Sequence, residues 1–334
     1  MRDDQSLFER LIQFVKTVFK TNLEIFLAAL KLSPNAQGYI SGSITELLIK
    51  KKLEEEYGFE VKRIREKWEG RKHPRHRGDF YFSKPGSEVW YVVESKGVKS
   101  NSEKWHKLYN YDNLKKFMIS HSDKIPWIVS EKDIEPQIEA WIRKNLPKFM
   151  DEYSVALYEY EEVQRYIENQ PRRETSKSKA IKKLADLTRE DINRLVKDRL
   201  AYLMSKIRVL ETHFVSGTSG LSQRTQATPR SDEFNIVGVD VFLRYPEHKF
   251  LFANPKLLEP SRDDSNHLQQ NYIMGFVFPG EDGSQTINVS EDWYEDFNAV
   301  YETLNAKDCV KEQDMQVDMR QMILEEDTHL YNGL

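Results

Sequence analysis

Trp90-Tyr91-Val92-Val93-Glu94-Ser95-Lys96-Gly97 is the stretch on which the fold turns. Its aromatic and β-branched residues fit a pleated surface, so the run predicts a strand. Side chains alternate between faces along a strand, which puts Glu94 and Lys96 on one face. Two opposite charges at the end of a buried run are costly unless each is compensated. Just upstream, Asp79-Phe80-Tyr81-Phe82 reads as a second strand, introduced by Gly78. Between the two runs, Lys84-Pro85-Gly86-Ser87 is a turn signal. Folding the chain there gives an antiparallel hairpin that brings Asp79 beside Glu94 and Lys96. Two carboxylates and one ammonium at a single sheet edge suit Mg²⁺ binding and the activation of water.

Outward from the hairpin, helical and strand patterns alternate. The first 31 residues carry a broad apolar stripe and predict a helix, broken by Ser33-Pro34-Asn35. A second helix is expected from about Ser43 to Tyr57, stopped by Gly58 and carrying Glu46. Phe59 to Ile64 reads as a short strand. After Gly97 come a helix over 103–120, a strand at Ile125-Pro126-Trp127-Ile128-Val129, a helix over 134–149 and a strand at Ser154-Val155-Ala156-Leu157-Tyr158. This order implies a mixed sheet with helices on both faces.

Asp79 followed by Glu94-Ser95-Lys96 resembles the motif of the PD-(D/E)xK nuclease superfamily, the fold of most type II restriction endonucleases. The family usually has Pro before the first Asp, where this chain has Gly78. Glu46 fits the place of an acidic residue that many members carry on the helix before the hairpin. The resemblance covers roughly residues 35 to 160. It implies an α/β fold: a restriction-endonuclease-like core of a mixed sheet flanked by helices, with a C-terminal α+β region added. It also implies Mg²⁺ held by Asp79, Glu94 and the carbonyl of Ser95, and Lys96 orienting the attacking water or serving as general base. Glu46 would complete a second metal site or hold an outer-shell water. The expected reaction is hydrolysis of double-stranded DNA to leave 5′-phosphates, by a homodimer whose genetic partner is a cognate DNA methyltransferase.

Other readings of the same residues stay open. The Glu-x-Lys pattern occurs three times, at Glu60, Glu94 and Glu247. Glu247-His248-Lys249 is the serious rival, because Asp240 lies in the apolar run Ile236 to Phe242; but Tyr245-Pro246-Glu247-His248 reads as a turn, which would expose Glu247. Glu94 and Lys96 can also be an ordinary edge-strand ion pair, and Glu46 a first-turn carboxylate favoured by the helix dipole. On the same fold, a repair, recombination or transposition nuclease and a non-catalytic DNA-binding protein are alternatives, and an adaptor with an accidental match is a fourth.

The chain has 334 residues, a formal charge of −4 and 39% hydrophobic residues, enough for one large domain or two ordinary ones. A division into 1–170 (N-terminal helices and catalytic core) and 171–334 (a helical segment, then a β-rich recognition or dimerisation region) is expected, with the polar run Pro171 to Lys179 as a linker or an exposed loop. Charge is unevenly spread. Residues 41–110 hold 16 Lys and Arg against 11 Asp and Glu, whereas residues 281–334 hold 3 against 14. The basic cluster Arg71, Lys72, Arg75 and Arg77, with Lys99 nearby, is therefore a candidate contact for DNA phosphates. Gln223 and Arg224, in a Gly, Ser and Thr segment, are candidates for reading bases. A long basic helix is expected from Thr188 to Val215, and Asn266 to Tyr272 is dense in amides. The single cysteine, Cys309, excludes an intrachain disulfide and a Cys-cluster zinc site. No apolar run approaches a membrane span and the N-terminus lacks a signal-peptide layout, so a cytoplasmic protein is the default.

Overall fold

The computed structural model describes residues 7–65, 77–98, 111–147, 160–169, 173–214 and 228–318. Its N-terminal helices are α1 (Leu7–Val18), α2 (Leu23–Leu32) and α3 (Pro34–Lys51). The single helix expected over the first 31 residues is thus two, parted where Lys20 takes a left-handed φ of 52° and Asn22 caps α2. Ser33-Pro34 breaks the chain as expected, but it also starts the next helix. Ser33 accepts from the Ala36 N–H and Pro34 occupies the first turn, where its missing N–H is harmless. α3 therefore begins nine residues before Ser43, and a π-helical turn, Lys52–Glu56, extends it.

The main sheet has five strands in the order β1-β2-β3-β5-β6. β1 (Glu60–Arg63), β2 (Phe80–Ser83) and β3 (Tyr91–Gly97) form an antiparallel meander. The hairpin is where the turn signal placed it. β5 (Ile236–Asp240) runs parallel to β3, with Glu94 opposite Val237 and Lys96 opposite Val239, and β6 (Phe250–Ala253) closes the far side. A second sheet, in the order β4-β7-β8, consists of β4 (Arg208–Glu211), β7 (Ile273–Pro279) and β8 (Gln285–Val289). The fold is mixed α/β, with helices beside both sheets.

Side-chain alternation gives the main sheet two apolar faces. Phe80, Phe82, Tyr91, Val93, Ile236 and Phe252 pack with Ile49 and Leu53 of α3 and its extension. Tyr81, Val92, Val237 and Val239 pack on the other face, in a core shared with Leu210, Met274 and Val277 of the second sheet. A helix over Phe297–Tyr301 seals the first core, where Phe297 meets Phe59, Phe82 and Phe252 edge-on at 5.1–5.3 Å.

Three expectations need correction. First, residues 125–129 do not form a strand. Pro126 lacks a ladder donor, a 3₁₀ turn over Ser122–Lys124 precedes it, Trp127 stacks on Trp141 of the helix Ile134–Asn145 at 5.3 Å, and Val129 is 88% exposed. Residues 154–158 lie outside the described residues. Second, the neighbour of β3 comes from residues 236–240, so the main sheet takes strands from both sides of residue 170. Third, the helix expected from Thr188 to Val215 spans Arg189–Met204 and gives way to β4. The run read as a linker partly forms a capped helix, Ser176–Lys182.

Candidate active site

The hairpin register decides the geometry. Phe80 pairs with Val93, so the next position places Asp79 against Glu94, and the Asp79 N–H donates to the Val93 carbonyl at 3.0 Å. Glu94 and Lys96 share the face of Val92, and Asp79 shares the face of Tyr81, which is the same side of the sheet. Beyond Asp79 the chain leaves the ladder. The Asp79 carboxylate takes over as acceptor, receiving the Ser95 N–H at 2.6 Å. Gly78 allows that departure: a Cβ there would stand 2.5 Å from Val92 Cγ1 and 2.9 Å from the Val93 carbonyl oxygen. The position that holds Pro in the resembling family has no room here for a side chain.

Lys96 Nζ donates to the Glu94 carboxylate within the strand. Burial works against the Lys96 charge, but Glu94, Asp79 and Glu46 together outweigh it and hold the ammonium above its ordinary range. Lys96 is accordingly a charged donor in this arrangement rather than a neutral base. Asp79 is pushed well above the usual carboxylate range, by burial first and by Glu94 second, against the opposing pull of Lys96 and the Ser95 N–H. A carboxyl so placed lacks positive charge. That deficit is what a divalent cation between Asp79 and Glu94 would correct, so the donor set fits a hard, oxygen-seeking ion. Among the described residues no three His, Cys, Asp or Glu side chains converge as a ready-made ligand cluster. Two carboxylates with a backbone carbonyl is the set that Mg²⁺, which keeps much of its water, accepts.

Glu46 projects from the middle of α3, not its first turn, so the helix-dipole reading falls away. It is close enough to raise both Asp79 and Lys96 electrostatically, and Arg63 of β1 binds it at 2.9 Å. Arg63 went unnoticed in the sequence because nothing local marks it; only the placement of α3 across the sheet end brings the two together. The preceding helix residue, Thr45, donates to Asp240 at 3.1 Å. Asp240, 3% exposed, also accepts from the Phe242 N–H and is bonded to His248 Nδ1 at 2.6 Å. The rival carboxylate is thereby spent on tying β5 to α3, and Glu247 sits on an exposed turn. Asp79 just before β2 and Glu94 and Lys96 of β3 thus lie at the end of the main sheet where Arg63 of β1 and Glu46 of α3 meet from the helix face.

Of the candidate DNA contacts, Arg77 lies among the described residues. Its N–H donates to the Glu233 carbonyl at 2.6 Å and its guanidinium stands 4.0 Å from the Glu233 carboxylate. Arg71, Lys72, Arg75, Lys99, Gln223 and Arg224 lie outside the described residues. In the amide-dense segment, Asn266 bonds Asp264 and Gln269 bonds the carbonyls of Glu259 and Pro260, so these side chains brace their own loop. On the Arg189–Met204 helix, Arg189 pairs with Glu161, Arg194 with Asp191, and Arg199 is wholly buried. Only Arg199 of that helix's basic residues is buried; Arg189, Arg194 and Lys197 are exposed.

Comparison of the chain with protein-family models, with curated proteins and with solved structures returns no match. No helix among the described residues is long and apolar enough to cross a membrane.

Proposed function

We propose that the chain is a Mg²⁺-dependent endonuclease of the PD-(D/E)xK type that hydrolyses phosphodiester bonds in double-stranded DNA, acting as a homodimer in restriction. The observation that carries this reading is the placement of Asp79 opposite Glu94, with Lys96 two residues on and facing the same way. Asp79 and Glu94, with the Ser95 carbonyl, would hold the cation. Bound there, Mg²⁺ supplies an acidified water and neutralises charge on the phosphate. Lys96 holds Glu94 in place and keeps donors to spare for the attacking water and the phosphate oxygens. The Ser95 N–H fixes the Asp79 carboxylate, so this side chain is positioned before substrate arrives. Arg63 restrains Glu46 at the rim of the site.

Supercoiled plasmid incubated with the protein and Mg²⁺ tests the reading. Discrete fragments are expected, and a chelator should stop their appearance. A smear would shift the assignment to a repair-type nuclease, and intact plasmid across many sequences would remove the catalytic reading. Asp79→Ala and Lys96→Ala should each lower cutting by at least about 100-fold while the fold and DNA binding persist. Normal cutting by either variant would show that the site is elsewhere. A DNA methyltransferase gene beside this one would favour restriction.

A further inference from the structure

The N-terminal helices are the least buried part of the described molecule. Sixteen large hydrophobic side chains are exposed among the described residues, and twelve of them fall between Phe8 and Leu47. They include Phe8 at 62%, Phe19 at 51%, Ile25 at 58%, Leu32 at 82% and Tyr39 at 81%. From Phe8 to Val18 of α1 only Val15 is buried, and nothing in α2 is. Side chains of this size present roughly 150–250 Å² each when free, so the twelve leave on the order of 1,000 Å² of apolar surface uncovered. That total is spread over three consecutive helices, α1, α2 and α3. A stable protein interface covers about 800 Å² on each partner. Helices of 10 and 12 residues are also marginal in water without an apolar face to bury.

Charge indicates what covers this face. Residues 7–47 contain seven charged side chains, four basic and three acidic, in a chain where 31% of residues are charged. A surface that meets its own copy across a two-fold axis meets its own charges, so it has to be close to neutral. An anionic membrane surface would instead select a polar face rich in Lys and Arg. A cover this extensive is needed wherever the chain exists, and a second copy is always present in matching amount.

We propose that residues 7–47 form the surface through which two copies of this chain associate. The inference rests on packing and charge, and it stands whether or not the protein cuts DNA. α3 belongs to both regions: Tyr39, Ile40 and Ile44 are on the open face, while Thr45 and Ile49 pack into the sheet that carries Asp79 and Glu94. Association through this arm therefore reaches the sheet end through one continuous helix.

Sedimentation equilibrium of the full chain tests the proposal. The expected mass is twice 39.5 kDa. The double variant Ile25→Glu, Leu32→Glu should dissociate at least about 100-fold more readily. Circular dichroism shows whether the variant stays folded. If it does not, hydrogen exchange on the unmodified chain decides: amides of residues 7–47 should lose protection on dilution while those of β3 and β5 keep theirs. A wild-type mass of 39.5 kDa, a dimer indifferent to both substitutions, or exchange in 7–47 unchanged by dilution would each overturn the proposal. Flotation of the wild-type chain with phosphatidylcholine vesicles would assign the face to lipid instead.

Discussion

Asp79 stands where a carboxylate is least comfortable, buried and facing Glu94, with Lys96 already engaged by Glu94. Its raised pKa has a consequence for stability. The protonated form is preferred in the folded protein, so Asp79 favours folding fully below its unfolded value near 3.8 and progressively less as pH rises through its folded value. Asparagine imitates the protonated form and can still accept the Ser95 N–H. Asp79→Asn should therefore raise the melting temperature at pH 7, on the order of 3 °C, with the gain shrinking toward pH 4, while plasmid cutting is lost. Scanning calorimetry at pH 4, 5.5 and 7 checks this; a variant less stable than wild type at pH 7 would contradict the crowding of Asp79. This residue was legible in the sequence because a tight turn and a period of two fix which side chains meet across a hairpin. Arg63 and Asp240 were not: their partners Glu46 and Thr45 lie on a helix whose path over the sheet is a matter of tertiary packing.

At the level of elements, the contact that sets the site is α3 on the main sheet. Gly238 of β5 lets the helix come close: a Cβ there would fall 2.4 Å from Ile49 Cδ1 and 3.1 Å from the Phe252 ring. Gly238→Ala should cost about 1–3 kcal/mol through overpacking and shift α3, loosening the Thr45–Asp240 and Glu46–Arg63 links one helical turn away. Denaturant melts give the first effect, and the loss of cutting without any change to Asp79, Glu94 or Lys96 gives the second. The antiparallel hairpin was readable because its information is local. The parallel neighbour was not, since β5 enters about 140 residues after β3 and its apolar run, Ile236 to Phe242, carries no mark of its partner. Residues 125–129 misled for the converse reason: a short apolar run is the same string whether it pairs in a sheet or packs through stacked indoles.

For the whole molecule, alkaline pH is the condition that probes both sheets at once. Burial raises Tyr57, Tyr81, Tyr91 and Tyr301 around the main sheet, and Tyr272 before β7 is pushed up to about 12. Each of these phenols keeps its proton longer in the folded chain than in the unfolded one. Their contribution is intact below pH 10, the ordinary tyrosine value, and disappears as pH climbs through the raised values toward 12. Guanidinium midpoints at pH 9, 10.5 and 11.5 should fall steadily, and Tyr272→Phe should flatten the fall. The same variant gives up the Tyr272 hydroxyl's bonds to the Glu259 carbonyl and the Gln269 N–H, lowering stability at pH 8 by about 1 kcal/mol. An unchanged slope in that variant would mean that its phenol ionises freely.

The lateness of β5 also bears on how the chain is made. A ribosome releases β3 long before residues 236–253 emerge, and at typical elongation speeds the interval is roughly ten to thirty seconds. Throughout it, one flank of β3 has bare amides and carbonyls, a template for pairing with the wrong strand. Nascent polypeptides of this protein should accordingly lean on a chaperone until residues 236–253 have emerged. A chain ending before Ile236 would lack β5 and leave that flank of β3 open, a fragment prone to aggregation.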